Sequence, residues 1–380
     1  MDNNNKRPLT EKQMRKKVLR RGTRYRAPKV NVGLVIALAF LLVIIAVCVV
    51  VIVSRGGNGD TANDSAGSSY ATSDIDASGV YTTESADVDD PGGNNVVIEN
   101  SEMKYIYMSH DEVHRGDLIL VNSDHAYVFP DPATDVSVYN NKTKSYQVAD
   151  LSINLSMDAI TPLNVLMDDF YEVSQCRDVM VNSGFRSEQF QRDLYNERVE
   201  TQGAEMAAKY VALPGHSEHH TGLAMDLTVY NAVTGEGNKL VEYEPCKWLV
   251  ENFENYGFVL RYPEDKVSHT GISYEPWHYR YVGAPHSLIM KARNLCLEEY
   301  IEYLRGLEEG TAVAWNGLEV HEISLDGILD GGYVVYYVPA AESGNTDIAV
   351  PQGREYTVSG DNVGGFIVTL MPIDGGESND

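Results

Sequence analysis

With 380 residues and 43% hydrophobic side chains, the chain has material for one large or two modest folded domains, which excludes wholesale disorder. Charge is unevenly placed: eleven Lys/Arg face only Asp2 and Glu11 in residues 1–29, a local +9, so a total of −25 leaves −34 on the rest. A body that acidic repels phosphate backbones, which excludes reading the basic N terminus as a nucleic-acid arm; no nucleic acid is expected as a partner.

The next segment accounts for the basic stretch. Val32–Val53 is an uncharged apolar run, which as a helix spans about 33 Å and matches the hydrocarbon core of a bilayer. Lys and Arg before it and an acidic stretch after it predict a single transmembrane helix (32–53), a basic cytoplasmic tail (1–31) and an outward-facing body. The run is longer than a signal-peptide core, and no A-x-A-like site ends it. Residues 54–96 are rich in Gly, Ser, Thr, Asn and Asp, and eight acids there face Arg55 alone; they read as a flexible acidic linker. Cys48 lies in the apolar run, and Cys176, Cys246 and Cys296 are too few and too scattered for a disulfide scaffold or a zinc knuckle. Unpaired thiols or one incidental disulfide are expected of them.

From Val97 the pattern is one of short elements. Leu118–Val121 and Tyr127–Phe129 read as short strands between turns. Leu163, Leu166, Met167, Phe170 and Val173 follow helical spacing, and Val179–Val181 reads as a strand ending at Asn182-Ser183-Gly184. A polar helix follows from about Ser187, with Phe190, Leu194 and Val199 assigned to its buried side. Ala224–Val229 and Phe258–Arg261 read as strands, with a helix over Glu244–Asn255 closed by Gly257 between them. Trp277–Val282 is strand-like, and Ser287–Leu304 reads as one long amphipathic helix. After Gly306 come β-rich runs such as Gly332–Val338 and Gly365–Leu370, then a frayed end at Asp374–Asp380. Strands and helices without a regular βαβ beat predict an α+β fold, with residues 306–380 as a β-rich C-terminal extension.

Hydrolytic side chains concentrate in three stretches: Ser183-Gly184-Phe185-Arg186-Ser187, the run from Gly215 through His216, Ser217, His219 and His220 to Asp226, and Glu275-Pro276-Trp277-His278. A catalytic zinc needs three His/carboxylate ligands, an open position for water and a nearby base. Spacing alone leaves the choice among His216, His219, His220, His269 and His278 open, because no HExxH or Cys-rich signature is present.

The ordered set S-G-F-R-S, S-x-H-x-x-G-x-A-x-D from Ser217 to Asp226 and E-P-W-H resembles the VanY-type zinc D-alanyl-D-alanine carboxypeptidases. Leu260-Arg261-Tyr262-Pro263, Thr270-Gly271-Ile272 and Arg280-Tyr281-Val282-Gly283 fit the same pattern, and the likeness covers about residues 115–305. The resemblance implies a zinc D,D-carboxypeptidase domain at 97–305 (core 155–305), with a small antiparallel sheet flanked by helices. It implies that His219, Asp226 and His278 bind Zn²⁺, that Glu275 activates water and that Arg186 stabilises the tetrahedral intermediate. Ser217 and Gln191 are candidates to hold the substrate, with a turn or cap role open for Ser217. His216 and His220 read as pocket-rim or surface residues, and Trp277 as a packing wall. Arg261 and Lys266 are candidate receptors for a terminal carboxylate. The partners implied are peptidoglycan stem peptides and, through one helix, the membrane. An L,D-carboxypeptidase or wall endopeptidase on the same scaffold, or an inactive wall-binding ectodomain, are the alternatives.

Overall fold

In the computed structural model, the described residues are 103–373 apart from 131–133, 232–233 and 326–331. The expected cytoplasmic tail, transmembrane helix and linker, and the C-terminal end at 374–380, lie outside them. Among the described residues no helix is long and apolar enough to cross a membrane.

In chain order the first elements are β1 (Met103–Ser109), β2 (Val136–Ser137), α1 (Val138–Asn141), β3 (Gln147–Val148), β4 (Asn154–Leu155), α2 (Met157–Ser174) and β5 (Val179–Ser183). Then come α3 (Glu188–Gln202), α4 (Ala204–Tyr210), β6 (Ala224–Asn231), β7 (Glu236–Asn238), α5 (Lys247–Asn252), β8 (Phe258–Leu260), α6 (Val267–Thr270) and β9 (His278–Tyr281). The last are α7 (His286–Arg293), α8 (Leu297–Arg305), β10 (Thr311–Trp315), β11 (Val320–Ser324), β12 (Tyr333–Pro339), β13 (Asn345–Pro351), β14 (Tyr356–Gly360) and β15 (Gly365–Leu370).

One sheet carries the site. Its order is β3-β5-β6-β9-β8 with β7 on β6, antiparallel except for the β3–β5 pair. The apolar face of α2 (Leu163, Leu166, Met167, Phe170) packs on Val179, Val181, Leu227 and Val229 of this sheet, as its helical period requires. Ser156 caps α2 by accepting from the Asp158 amide. Fully burying four such side chains contributes on the order of 6–12 kcal/mol before entropy is counted.

A second, five-stranded antiparallel sheet has the order β11-β10-β12-β15-β14. Its strands alternate: Tyr333 and Val335 of β12 face a core with α7 and α8, while Val334 and Tyr336 face one beneath the β1–β13 ribbon. The first of these cores runs across residue 306, because Leu118, Val259, Ile289 and Ile301 pack in it with Val313, Val335 and Ile367. Strand β1, expected with the peptidase segment, is paired along its whole length with β13 of the C-terminal region.

Four further readings are corrected. Leu118–Val121 is buried but forms no strand; its Leu120 amide donates to the Asp361 carbonyl, while Arg280 takes the carbonyls of Asp117 and Ile119. Tyr127–Phe129 is likewise irregular, and the Tyr127 amide donates to the Gly215 carbonyl. The predicted helix over Ser287–Leu304 is two helices, because Asn294 adopts φ 50° and ends α7 before Cys296 starts α8. On α3 the buried residue is Gln191, whereas Phe190 is 57% exposed. The apolar side chain next to the buried position points outward because adjacent helical residues lie about 100° apart.

Candidate active site

Strands β6 and β9 are antiparallel neighbours with Asp226 opposite His278, which places a carboxylate and an imidazole side by side in the sheet centre. His219 reaches them from a 3-10 turn over Glu218–Thr221, closed by Gly222 at φ +68°. A Cβ at Gly222 would collide with the Asp135 carboxylate and crowd the Ser156 amide, so the tight return into β6 requires glycine there. His219, Asp226 and His278 each offer an atom within 4.8 Å of the others. Asp226 Oδ1 lies 3.4 Å from His219 Nε2 and 3.3 Å from His278 Nδ1.

The ring orientations are fixed from behind. His219 Nδ1 is 2.7 Å from the Gly184 carbonyl, which leaves Nε2 facing Asp226. His278 turns Nε2 toward Glu218 Oε2 at 3.6 Å and Nδ1 toward Asp226. Asp226 Oδ1 and His278 Nε2 are buried without a hydrogen-bond partner. An acceptor-only oxygen left bare between two ring nitrogens is what a cation completes, so the residues fit a metal.

Glu275 approaches the same point, its Oε2 3.6 Å from His278 Nδ1, and burial pushes its carboxyl up to about 7. Arg186 donates from Nε and Nη2 to Ser183 Oγ and from Nη2 to Asp226 Oδ2 at 2.8 Å; Nη1 has no partner among the described residues. Burial and the Arg186 charge lower His219 to about 4, consistent with a neutral imidazole. Burial opposes the proton on His278, but the facing carboxylates of Asp226, Glu218 and Glu275 outweigh it and raise His278 to about 9. The Asp226 carboxyl, despite burial, is held well below the usual range by His219 and His278.

These side chains open on a cavity of about 440 Å³, in which Gln191, Ser217, Tyr262 and Trp277 also take part. Ser217 is buried, lines the cavity and makes no side-chain capping bond. Gln191 donates to the Ala212 carbonyl and keeps a buried Oε1 without a partner. Trp277 is half-buried in the cavity wall.

Some expectations do not hold. His220 is fully buried, not a surface residue: its Nδ1 lies 2.6 Å from the Arg186 carbonyl and its Nε2 accepts from the Gly215 amide, tying two motifs together. His216, by contrast, sits half-buried at the edge of a neighbouring pocket as expected, bonded to the Asn122 carbonyl. Arg261 is buried against Glu218 and Glu298, and Lys266 is paired with Glu299 at 2.9 Å; neither lines the cavity. Cys176, Cys246 and Cys296 are all free, the first of the two states expected of them. Sequence reasoning missed Glu218, which backs His278, and Arg198, which lines the cavity. Glu218 stands between two motif residues, and nothing in its own spacing marks it.

The family model for VanY, D-alanyl-D-alanine carboxypeptidase, matches residues 153–284. A D-alanyl-D-alanine carboxypeptidase of Enterococcus faecium is 35% identical over 285 residues, covering 73% of this chain and 82% of the relative. The chain belongs to the VanY family. A second relative of this VanY chain, the bifunctional D-Ala-D-Ala dipeptidase and D-Ala-D-Ala carboxypeptidase VanXYC of Enterococcus gallinarum, is 42% identical over 133 residues, or 34% of this chain and 68% of that one. Among solved structures, the vancomycin-resistance D,D-dipeptidase VanXYg, in complex with a D-Ala-D-Ala phosphinate analogue, is similar with a TM-score of 0.59 and 30% identity, covering 71% of this chain and 99% of that one. That coverage extends the likeness beyond the site to the mixed α and β fold.

Proposed function

We propose that this VanY-family protein is a zinc D-alanyl-D-alanine carboxypeptidase that removes the terminal D-alanine from peptidoglycan stem peptides. The observation that carries it is the convergence of His219 Nε2, Asp226 Oδ1 and His278 Nδ1 beside Glu275 at a cavity. His219, Asp226 and His278 hold the metal; when bound, Zn²⁺ polarises the scissile carbonyl and acidifies water. Three side chains already complete the protein's share of an open zinc site, so Glu275 beside them takes the role of base. It accepts a proton as the water oxygen adds to the carbonyl carbon, then delivers it to the departing D-alanine nitrogen as the C–N bond breaks. Arg186 presents its free Nη1 to the carbonyl oxygen as that oxygen becomes negative. Gln191 and Ser217 offer polar atoms to the peptide.

The domain plan is part of the same reading. A basic tail (1–31), a membrane helix (32–53) and an acidic tether (54–96) carry the peptidase domain (97–305) and the β-rich extension (306–380) outside the cell, supported by the charge asymmetry around the apolar run. Protease added to intact protoplasts removes the body by cutting within 54–96; a mature N terminus near Ser54 contradicts the anchor.

The test of the activity is mass spectrometry of defined stem peptides. Loss of one D-alanine from the pentapeptide alone supports the proposal. Preferential trimming of the tetrapeptide makes the enzyme an L,D-carboxypeptidase, and internal cleavage makes it an endopeptidase.

A further inference from the structure

The cavity holds two arginines in different states. Arg186 is committed to Ser183 and Asp226, whereas the guanidinium of Arg198 makes no hydrogen bond or ion pair among the described residues. Arg198 lies on α3, where Gln191, Leu194, Arg198 and Gln202 recur every three or four residues and form one wall of the cavity. Along this stripe Gln191 is buried, Arg198 half-buried and Gln202 exposed, so it runs from floor to mouth. Gln191 and Arg198 are separated by about 10 Å of helix.

Arg198 stays unpaired although the body is acidic. On the exposed face of the same helix Arg192 is paired with Glu188. The positions that could neutralise Arg198 from its own helix hold Leu194, Tyr195, Thr201 and Gln202, none of them acidic, while Glu197 and Glu200 face elsewhere. The cavity's acidic groups, Asp226 and Glu275, both repel an anion, and Arg198 is among the charges whose field reaches Glu275. A carboxypeptidase must nevertheless admit a substrate ending in a carboxylate, and Arg261 and Lys266 are consumed by Glu218, Glu298 and Glu299.

We propose that Arg198 determines specificity by receiving a carboxylate of the stem peptide in the cavity. Two sources share that chemistry: the terminal carboxylate of the departing residue and a free carboxylate further back along the stem. The planar fork of donors suits bidentate capture of either, which a lysine reproduces only as a point charge. The inference rests on the carboxypeptidase reading.

The experiment is steady-state kinetics of the full-length protein in detergent and of its Arg198→Gln and Arg198→Lys forms. The substrate is a stem pentapeptide in three versions: free, amidated at the C terminus, and amidated at the internal acid. Calorimetric binding of each peptide and zinc content are read in parallel. Arg198→Gln raises KM for the free peptide about 10- to 100-fold, the range for a lost charge-assisted bond, with kcat within about threefold, unchanged zinc and partial recovery in Arg198→Lys. The penalty vanishes for whichever amidated version lacks the recognised carboxylate, which identifies the source. Equal KM in wild type and Arg198→Gln, or an equal loss on all three versions, overturns the proposal. If the wild type releases no D-alanine the carboxypeptidase reading fails instead, and the binding data then decide: tighter binding to wild type than to Arg198→Gln, abolished by one amidation, upholds Arg198, and equal binding refutes it.

Discussion

Glu218 and His219 are adjacent in the chain and belong to two opposite kinds of charged cluster. On one side Glu218 Oε1 accepts from Arg261 at 2.7 Å and from Arg280 at 3.0 Å, while Glu298 closes the network by pairing with Arg261. The side chains of Glu218, Arg261 and Arg280 are wholly buried there, and against the effect of burial the two arginines, with His278, pull the Glu218 carboxyl far below its usual range. On the other side His219 joins Asp226 and His278 around a bare carboxylate oxygen that opens on a cavity. Buried charges that satisfy one another are costly to break apart. Charges left incomplete beside a cavity are available for chemistry.

Breaking the closed network has the largest expected effect on stability. Glu218→Ala leaves Arg280 with uncompensated buried charge and Arg261 with Glu298 alone, and urea unfolding registers a loss of about 3–5 kcal/mol. The same substitution removes the group behind His278 Nε2, so zinc affinity falls with it, on the order of 10–100-fold. A variant as stable as wild type contradicts the distinction between the clusters.

His286 sharpens the comparison, being buried like His219 and His278 but satisfied on both ring nitrogens, by Tyr300 OH at 2.8 Å and Thr369 Oγ1 at 2.9 Å. Burial lowers it from 6.5 to about 3. The unfolded chain therefore binds a proton below pH 6.5 that the folded chain refuses, so the stability from neutral His286 is intact above pH 6.5 and drains away as pH falls toward about 3. In His286→Gln that contribution to the acid slope is absent: its stability deficit relative to wild type is largest at pH 7 and shrinks by pH 5. A constant deficit across that range contradicts the account.

The smallest effect separates two neighbours on α3. Phe190→Ala changes stability by no more than about 0.5 kcal/mol because the ring is 57% exposed, as parallel unfolding curves check. A loss above 2 kcal/mol returns Phe190 to the core.

Much of this was legible in the sequence because the relevant signals are local. The period of Leu163, Leu166, Met167 and Phe170 gave α2, and Ser183, His219, Asp226 and His278 stood in motifs whose order matched the family. What escaped depended on partners distant in the chain. The fate of Arg261 was set by Glu298, thirty-seven residues away, and that of β1 by β13, more than two hundred away. Spacing also gave no sign that Asn294 would take a left-handed conformation and divide a helix, or that Arg198 would lack the acid its neighbour Arg192 has.

The central claim is that His219, Asp226 and His278 hold the metal while Glu275 handles the proton, and one paired measurement separates those roles. Zinc content and D-alanine release from the stem pentapeptide are measured together for His219→Ala and Glu275→Gln. The account predicts that His219→Ala loses both, whereas Glu275→Gln keeps its zinc and loses about 10²–10⁴-fold in turnover, the range for removing a general base. Loss of zinc from Glu275→Gln, or full zinc in His219→Ala, contradicts it.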